Sequence, residues 1–170
     1  MIAIREARIE DAPALFATEV AVSAIPGLLV SAPDELSPDS FKRMIEQLSD
    51  DVGCVLVAED EGRISGYALL RPMDLRAIAH VFRLTVVVNP ASWKRGIGKA
   101  LMQGLANWAA QSSRVKKVEL LVRSTNAGAR ALYARCGFVE EGRLRNRVRL
   151  PSGDYVDDIS MAWFPKREHT

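Results

Sequence analysis

Residues 84–108 read LTVVVNPASWKRGIGKALMQGLANW. The opening LTVVV is the apolar end of a strand, and Ile97, Leu101, Leu105 and Trp108 then recur at helical spacing as far as about Ser112. Between strand and helix stand Lys94, Arg95, Gly96, Ile97, Gly98 and Lys99. A buried strand, a glycine-containing turn and a helix start together present free backbone N–H groups to an anion. Gly96 and Gly98 let the main chain approach such a ligand closely, and Lys94, Arg95 and Lys99 add charge around it. The two common phosphate motifs do not fit. There is no G-x-x-x-x-G-K-[ST], and this G-x-G lacks the third glycine and the acidic partner of a dinucleotide fold. A flexible, solvated helix entry is the alternative reading.

Working outward, residues 77–88 form one long β-run, nearly all apolar towards its end, as expected of a central strand buried on both faces. Before it come a strand over about residues 2–7, a helix from Asp11 and Pro13 towards Ala24, and an unusually apolar loop, IPGLLVSAPDELSP. Ser40 is positioned to cap a second helix, FKRMIEQL. GCVLVAED and RISGYALLRP follow as a hairpin around Glu61 and Gly62. After the glycine segment, KKVELLVRS reads as a strand and residues 126–136 as a helix stopped by Gly137. Two strands around PSGD end the chain. The order β-α-α-β-β-β-α-β-α-β-β predicts an α/β (α+β) domain with a mixed sheet, single over residues 1–170.

Composition narrows the function classes. A formal net charge of +2 argues against a nucleic-acid binder, so the cationic cluster at 94–99 suits one small anionic ligand. Cys54 and Cys136 are too few for a disulfide framework, and no His/Cys spacing suggests a metal site. The charged N-terminal stretch has no signal-peptide core, and no apolar run is long enough for a membrane span. A cytoplasmic protein is the expectation.

The stretch VVVNPASWKRGIGKAL, followed by NAGARALYARCGF, resembles the GNAT superfamily of acetyl-CoA-dependent N-acetyltransferases. The first matches the Gln/Arg-x-x-Gly-x-Gly/Ala pattern at Gly96 and Gly98; the second matches an Asn…Tyr…Gly-Phe pattern at Asn126, Tyr133, Gly137 and Phe138. Within the superfamily, the C-terminal run resembles bacterial amino-acid and ribosomal-protein N-acetyltransferases at Gly153, Tyr155, Asp157 and Met161. Trp93 departs from the pattern, standing where the family has Gln or Arg. The resemblance implies a mostly antiparallel mixed sheet with a splayed strand pair, flanked by about four helices.

It also implies acetyl-CoA as cosubstrate, its pyrophosphate on the backbone of residues 94–99 and its pantetheine arm beside LTVVV, bonded to backbone groups of Val86 and Val88. Asn126 would bond the cofactor arm, cap its helix, or do both. Tyr133 becomes the candidate general acid: a phenol of pKa about 10 can protonate a thiolate whose conjugate acid lies near 8.5 when transfer is coupled to carbon–sulfur cleavage. An orienting bond to sulfur, or a tyrosine snorkelling to water, are its other readings. Cys136 has no nearby His partner and reads as packing.

No carboxylate stands on the strand before the cradle, which leaves His80 as the candidate base, with a structural role as its alternative. A site without a strong base suits an α-amine of pKa about 8 better than a lysine at about 10.4. Leu28, Leu29 and Val30 are expected either to face an apolar acceptor or to seal a core or dimer contact. Arg143, Arg145, Arg147 and Arg149 share one face by alternation, either holding an acceptor carboxylate or pairing with Asp154, Asp157 and Asp158. The expected activity is acetyl transfer to a primary amine by direct attack in a ternary complex, with a free amino acid or similar small amine as acceptor. A protein N-terminus is the rival acceptor, a non-catalytic acyl-CoA-binding regulatory domain the rival class, and a homodimer through the C-terminal strands the expected assembly.

Overall fold

A computed structural model of the chain describes residues 1–166. Its elements run β1 (Ile2–Glu6), α1 (Ala12–Ser23), α2 (Pro38–Gln47), β2 (Cys54–Asp60), β3 (Arg63–Pro72), β4 (Val81–Val88), α3 (Ile97–Gln111), β5 (Lys117–Arg123), α4 (Ala127–Arg135), β6 (Val139–Arg149) and β7 (Tyr155–Trp163). The seven strands form one mixed sheet in the order β1-β2-β3-β4-β5-β7-β6. Every neighbouring pair is antiparallel except β4 and β5. That parallel pair is brief. Its register runs from Val81↔Lys117 to Arg83↔Glu119, while β4 continues alongside β3 to Val88.

Strand alternation sends side chains to two cores. Phe82, Leu84, Val118, Leu120 and Val122 pack under α3 and α4 with Leu101 and Leu105. Val55, Val57, Tyr67, Leu69 and Val87 pack under α1 and α2 with Leu15 and Phe41. Phe82 is fully buried beside the last paired residues of β4 and β5, its ring 6.1 Å from that of Trp108 on α3. It anchors α3 to the strand whose end the helix must face.

Three expectations are corrected here. Helix α2 starts at Pro38, not after Ser40, because Pro fits the first helical position, where no N–H bond is needed; Ser40 Oγ donates instead to the Ser37 carbonyl at 2.6 Å. The β-run before Val81 is no strand: Arg76–Ile78 is a single exposed 3-10 turn. The far end of β4 is not buried on both faces either. Val86 and Val88 are half-buried, because β5 has diverged and no strand pairs with their edge among the described residues.

Replacing Phe82 by Ala removes a fully buried ring at the strand junction. Urea unfolding is expected to show a loss of about 3–5 kcal/mol. A loss below about 1 kcal/mol would show that the junction does not depend on it.

Candidate functional site

Where β4 and β5 part, a cleft of about 970 Å³ opens, lined from both faces of the sheet. On the α3/α4 face its wall is the segment that joins β4 to α3. Asn89 Oδ1 accepts from the Ala91 amide at 3.0 Å and folds residues 90–92 into one 3-10 turn. Lys94 (φ 62°) and Gly96 (φ 83°) then take left-handed conformations, which glycine adopts without penalty. Gly96 is the N-cap of α3 and offers no side-chain cap, and the first turn carries no acid. The Ala100 amide donates to the Gly96 carbonyl, so the amides of Ile97, Gly98 and Lys99 precede the first intrahelical bond. They are the open donors of a fifteen-residue helix, with Lys94 and Lys99 beside them.

Gly98 serves space, not dihedral freedom. A Cβ there would sit 3.0 Å from Leu132 Cδ2 of α4, so it keeps the two helices close at the cleft wall. Arg95, expected with the cofactor-binding residues, lies outside the lining. Its guanidinium turns away to the buried Asp60 on β2, Nη2 to Oδ2 2.6 Å.

Backbone direction along β4 follows from two bonds at its ends. The Val81 carbonyl accepts from Met73, and the Asn89 amide donates to Ser65, so odd-numbered residues turn their polar groups towards β3. Even-numbered residues turn theirs to the other side, where β5 pairing stops at Arg83. The N–H and C=O groups of Val86 and Val88 therefore face the opening. One of them is already engaged: Trp93 Nε1 donates to the Val88 carbonyl at 2.9 Å. The departure at Trp93 thus replaces a polar side chain with one that binds the strand end.

Tyr133, on α4, lines the same cleft with its ring against Phe138 at 5.9 Å. Its hydroxyl has no hydrogen-bond partner among the described residues. Burial pushes that hydroxyl up to about 12, and the nearby Arg123 charge opposes the rise. It is a proton donor throughout the neutral range. Asn126 also lines the cleft while capping α4, its Oδ1 accepting from the Ala129 amide at 3.2 Å. Cys136 is half-buried, and burial raises its thiol, which favours the unreactive protonated form.

On the α1/α2 face the lining comes from the apolar loop and the C-terminal strands. Leu28, Leu29 and Val30 are there, with Leu28 and Leu29 also packed on the core. Opposite them a buried ion pair joins β5 to β7: Arg123 Nε to Asp158 Oδ1, 2.5 Å. Asp158 is the one carboxylate among the described lining residues, and it is spent on this pair. Arg83 and Arg147 complete the cationic side.

His80 is not brought to this place. It is exposed in the turn before β4, at the opposite end of the strand from Val88, and the structure gives it no route to the cleft. Sequence reasoning missed Arg123 and set Asp158 against the arginines of β6; the signal for the true pair is that Arg123↔Asp158 are cross-strand partners once β5 is set beside β7.

Comparison with known proteins agrees with this geometry. Residues 22–138 match the model of the acetyltransferase (GNAT) family. The chain is 33% identical over 119 residues to the L-amino acid N-acetyltransferase AaaT of Escherichia coli, covering 69% of this chain and 72% of that protein. It superposes on an acetyltransferase of the GNAT family from Streptococcus pneumoniae with a TM-score of 0.89 at 26% identity, over 96% of this chain and 99% of the other. A ribosomal-protein-alanine N-acetyltransferase from Brucella melitensis gives 0.86 at 27% identity, over 95% and 99%. An uncapped helix start facing a parted strand pair, set in a chain that matches the family model over most of its length, places the protein in the acetyltransferase (GNAT) family.

Proposed function

We propose that the chain is an acetyl-CoA-dependent N-acetyltransferase whose acceptor is the α-amine of a free amino acid or a similar small molecule. The observation that carries this reading is one cleft with an anion-binding helix start at one end, an unpaired strand edge along it, and a protonated tyrosine within it. The amides of Ile97, Gly98 and Lys99, with the charges of Lys94 and Lys99, suit a pyrophosphate. Val86 and the N–H of Val88 offer the amide partners that a pantetheine arm needs, and Asn126 keeps its NH2 free for the same arm. Acetyl-CoA, when bound, supplies an activated acetyl thioester.

The remaining chemistry belongs to this chain. Tyr133 holds a proton at its hydroxyl and delivers it to the leaving thiolate. A backbone N–H on the open edge of β4 is suited to polarise the thioester oxygen. Among the described residues the lining holds no unpaired carboxylate to act as base. An α-amine, which loses its proton more readily than a lysine side chain, is the acceptor that tolerates this. The similarity to AaaT, by its name an L-amino acid enzyme, supports the small acceptor. The similarity to a ribosomal-protein-alanine enzyme supports a protein N-terminus as the second reading.

The test is CoA-thiol release from acetyl-CoA across amino acids, polyamines and short peptides. Release with amino acids is expected; release with peptides alone would favour the second reading. For Tyr133→Phe, kcat is expected to fall about a hundredfold while acetyl-CoA affinity by calorimetry stays unchanged. Unchanged turnover would remove Tyr133 as the acid. In the wild type, kcat/KM should climb with pH above neutrality as the acceptor amine deprotonates. Since the Tyr133 hydroxyl ionises only at about 12, no decline from it should follow below about pH 10. Gly96→Asp introduces strain at φ 83° and a negative charge at the helix start; a loss of acetyl-CoA affinity of about tenfold or more is expected, and equal affinity would refute the cradle.

A further inference from the structure

Alternation along β6 predicts four arginines on one face, but the strand does not alternate throughout. Leu144 pairs with Asp158 and Val148 with Val156, so four steps on β6 are matched by two on β7. Inside this bulge Asn146 adopts φ 52°, a left-handed conformation that Asn tolerates better than most residues. Asp157 fixes the distortion with both oxygens: Oδ1 accepts from the Asn146 amide at 2.8 Å and Oδ2 from Arg143 Nε at 2.6 Å. These two bonds hold the Asp157 carboxyl below its ordinary range, the Asn146 amide contributing most.

Arg147 and Val148, which leave this bulge, both line the cleft. Arg143 is neutralised by Asp157, and Arg145 stays outside the lining. Arg147 has neither an ion pair nor a hydrogen bond among the described residues. The charges around it leave it that way. Asp158 is committed to Arg123, and Asp157 to Arg143 and Asn146. Arg83, the other cation on this side without an ion pair among the described residues, stands level with Glu119 in the β4–β5 register. The apolar loop closes the same corner. A Cβ on Gly27 would lie 3.5 Å from Thr125 Oγ1 and 4.0 Å from Leu150 Cδ2, so the chain leading into Leu28 and Leu29 runs beside the β5–α4 connection and the residue that follows β6.

We infer that Arg147 is the binding residue for the acceptor's α-carboxylate, and that the acceptor is a free α-amino acid with an apolar side chain, held against Leu28 and Leu29. The inference rests on the cleft being the N-acetyltransferase site, and it separates the two acceptor readings. A guanidinium recognises a carboxylate through paired N–H donors, whereas a peptide N-terminus or an amino-acid amide offers it no such anion.

The experiment compares apolar L-amino acids with their primary amides, in CoA-thiol release and in calorimetric titration onto the enzyme with coenzyme A bound. The proteins are wild type, Arg147→Met, and Arg145→Met as a control for loss of charge on the same strand. In the wild type, kcat/KM and affinity should favour the acid by about tenfold or more. Arg147→Met should abolish that preference by weakening the acid and sparing the amide, and Arg145→Met should keep it. Equal use of acid and amide by the wild type would overturn the inference while leaving the enzyme reading intact. So would a preference that survives Arg147→Met, or one lost equally in Arg145→Met. Release with neither acid nor amide, with acetyl-CoA still bound, would overturn the small-acceptor reading beneath it.

Discussion

The parting of β4 and β5 is the constraint from which the rest follows. Parallel strands usually pair along their whole common length, because each unpaired N–H or C=O group buried without a partner costs free energy. Here the pairing stops at Arg83↔Glu119, and β4 runs on beside β3 alone. The polar groups of Val86 and Val88 are left facing a cleft, with only the Val88 carbonyl satisfied, by Trp93. The same divergence leaves room for α3 to begin at the end of β4 and for α4 to place Tyr133 along the gap. One defect in a sheet therefore gives the strand edge, the uncapped helix start and the Tyr133 hydroxyl a common opening.

The cleft has chemically different sides because the sheet has two faces. Towards α3 and α4 it offers backbone donors, two lysines and a buried phenol. Towards α1 and α2 it offers arginines, one buried ion pair and an apolar loop. Burying Arg123 and Asp158 together costs desolvation that their attraction only partly offsets, so their retention points to position more than to stability. The pair joins β5 to β7 at the end of β5, four residues beyond the last pairing with β4, and it keeps a carboxylate in the lining from acting as a free base.

Much of this was legible in the sequence. The strand–glycine–helix order, the Asn126 to Tyr133 spacing and the stop at Gly137 are local features, and local features survive folding unchanged. The failures share a cause. His80 looked like part of β4 because alternation cannot reveal that Arg76–Ile78 turns first; it stands just before Val81, at the end of the strand opposite Val88 and outside the cleft lining. Arg95 looked equivalent to Lys94 and Lys99 because the direction of each side chain depends on the left-handed dihedrals of Lys94 and Gly96. Arg147 was one of four until Asn146 broke the alternation, and that asparagine was the only local sign. Long-range partners such as Asp60 for Arg95 and Asp158 for Arg123 require the strand order, which periodicity does not contain.

The ion pair between Arg95 and Asp60 has an effect beyond its own geometry. Asp60 closes β2, far from the cleft in sequence and absent from its lining, yet it grips the middle of the segment that must keep its amides aligned. Ordering a flexible, glycine-containing segment costs conformational entropy, and that cost falls either on folding or on ligand capture. By fastening the segment to the sheet beforehand, the chain moves the cost to folding. A ligand of this helix start would then meet a receptor already in shape, held there by a carboxylate outside the cleft lining.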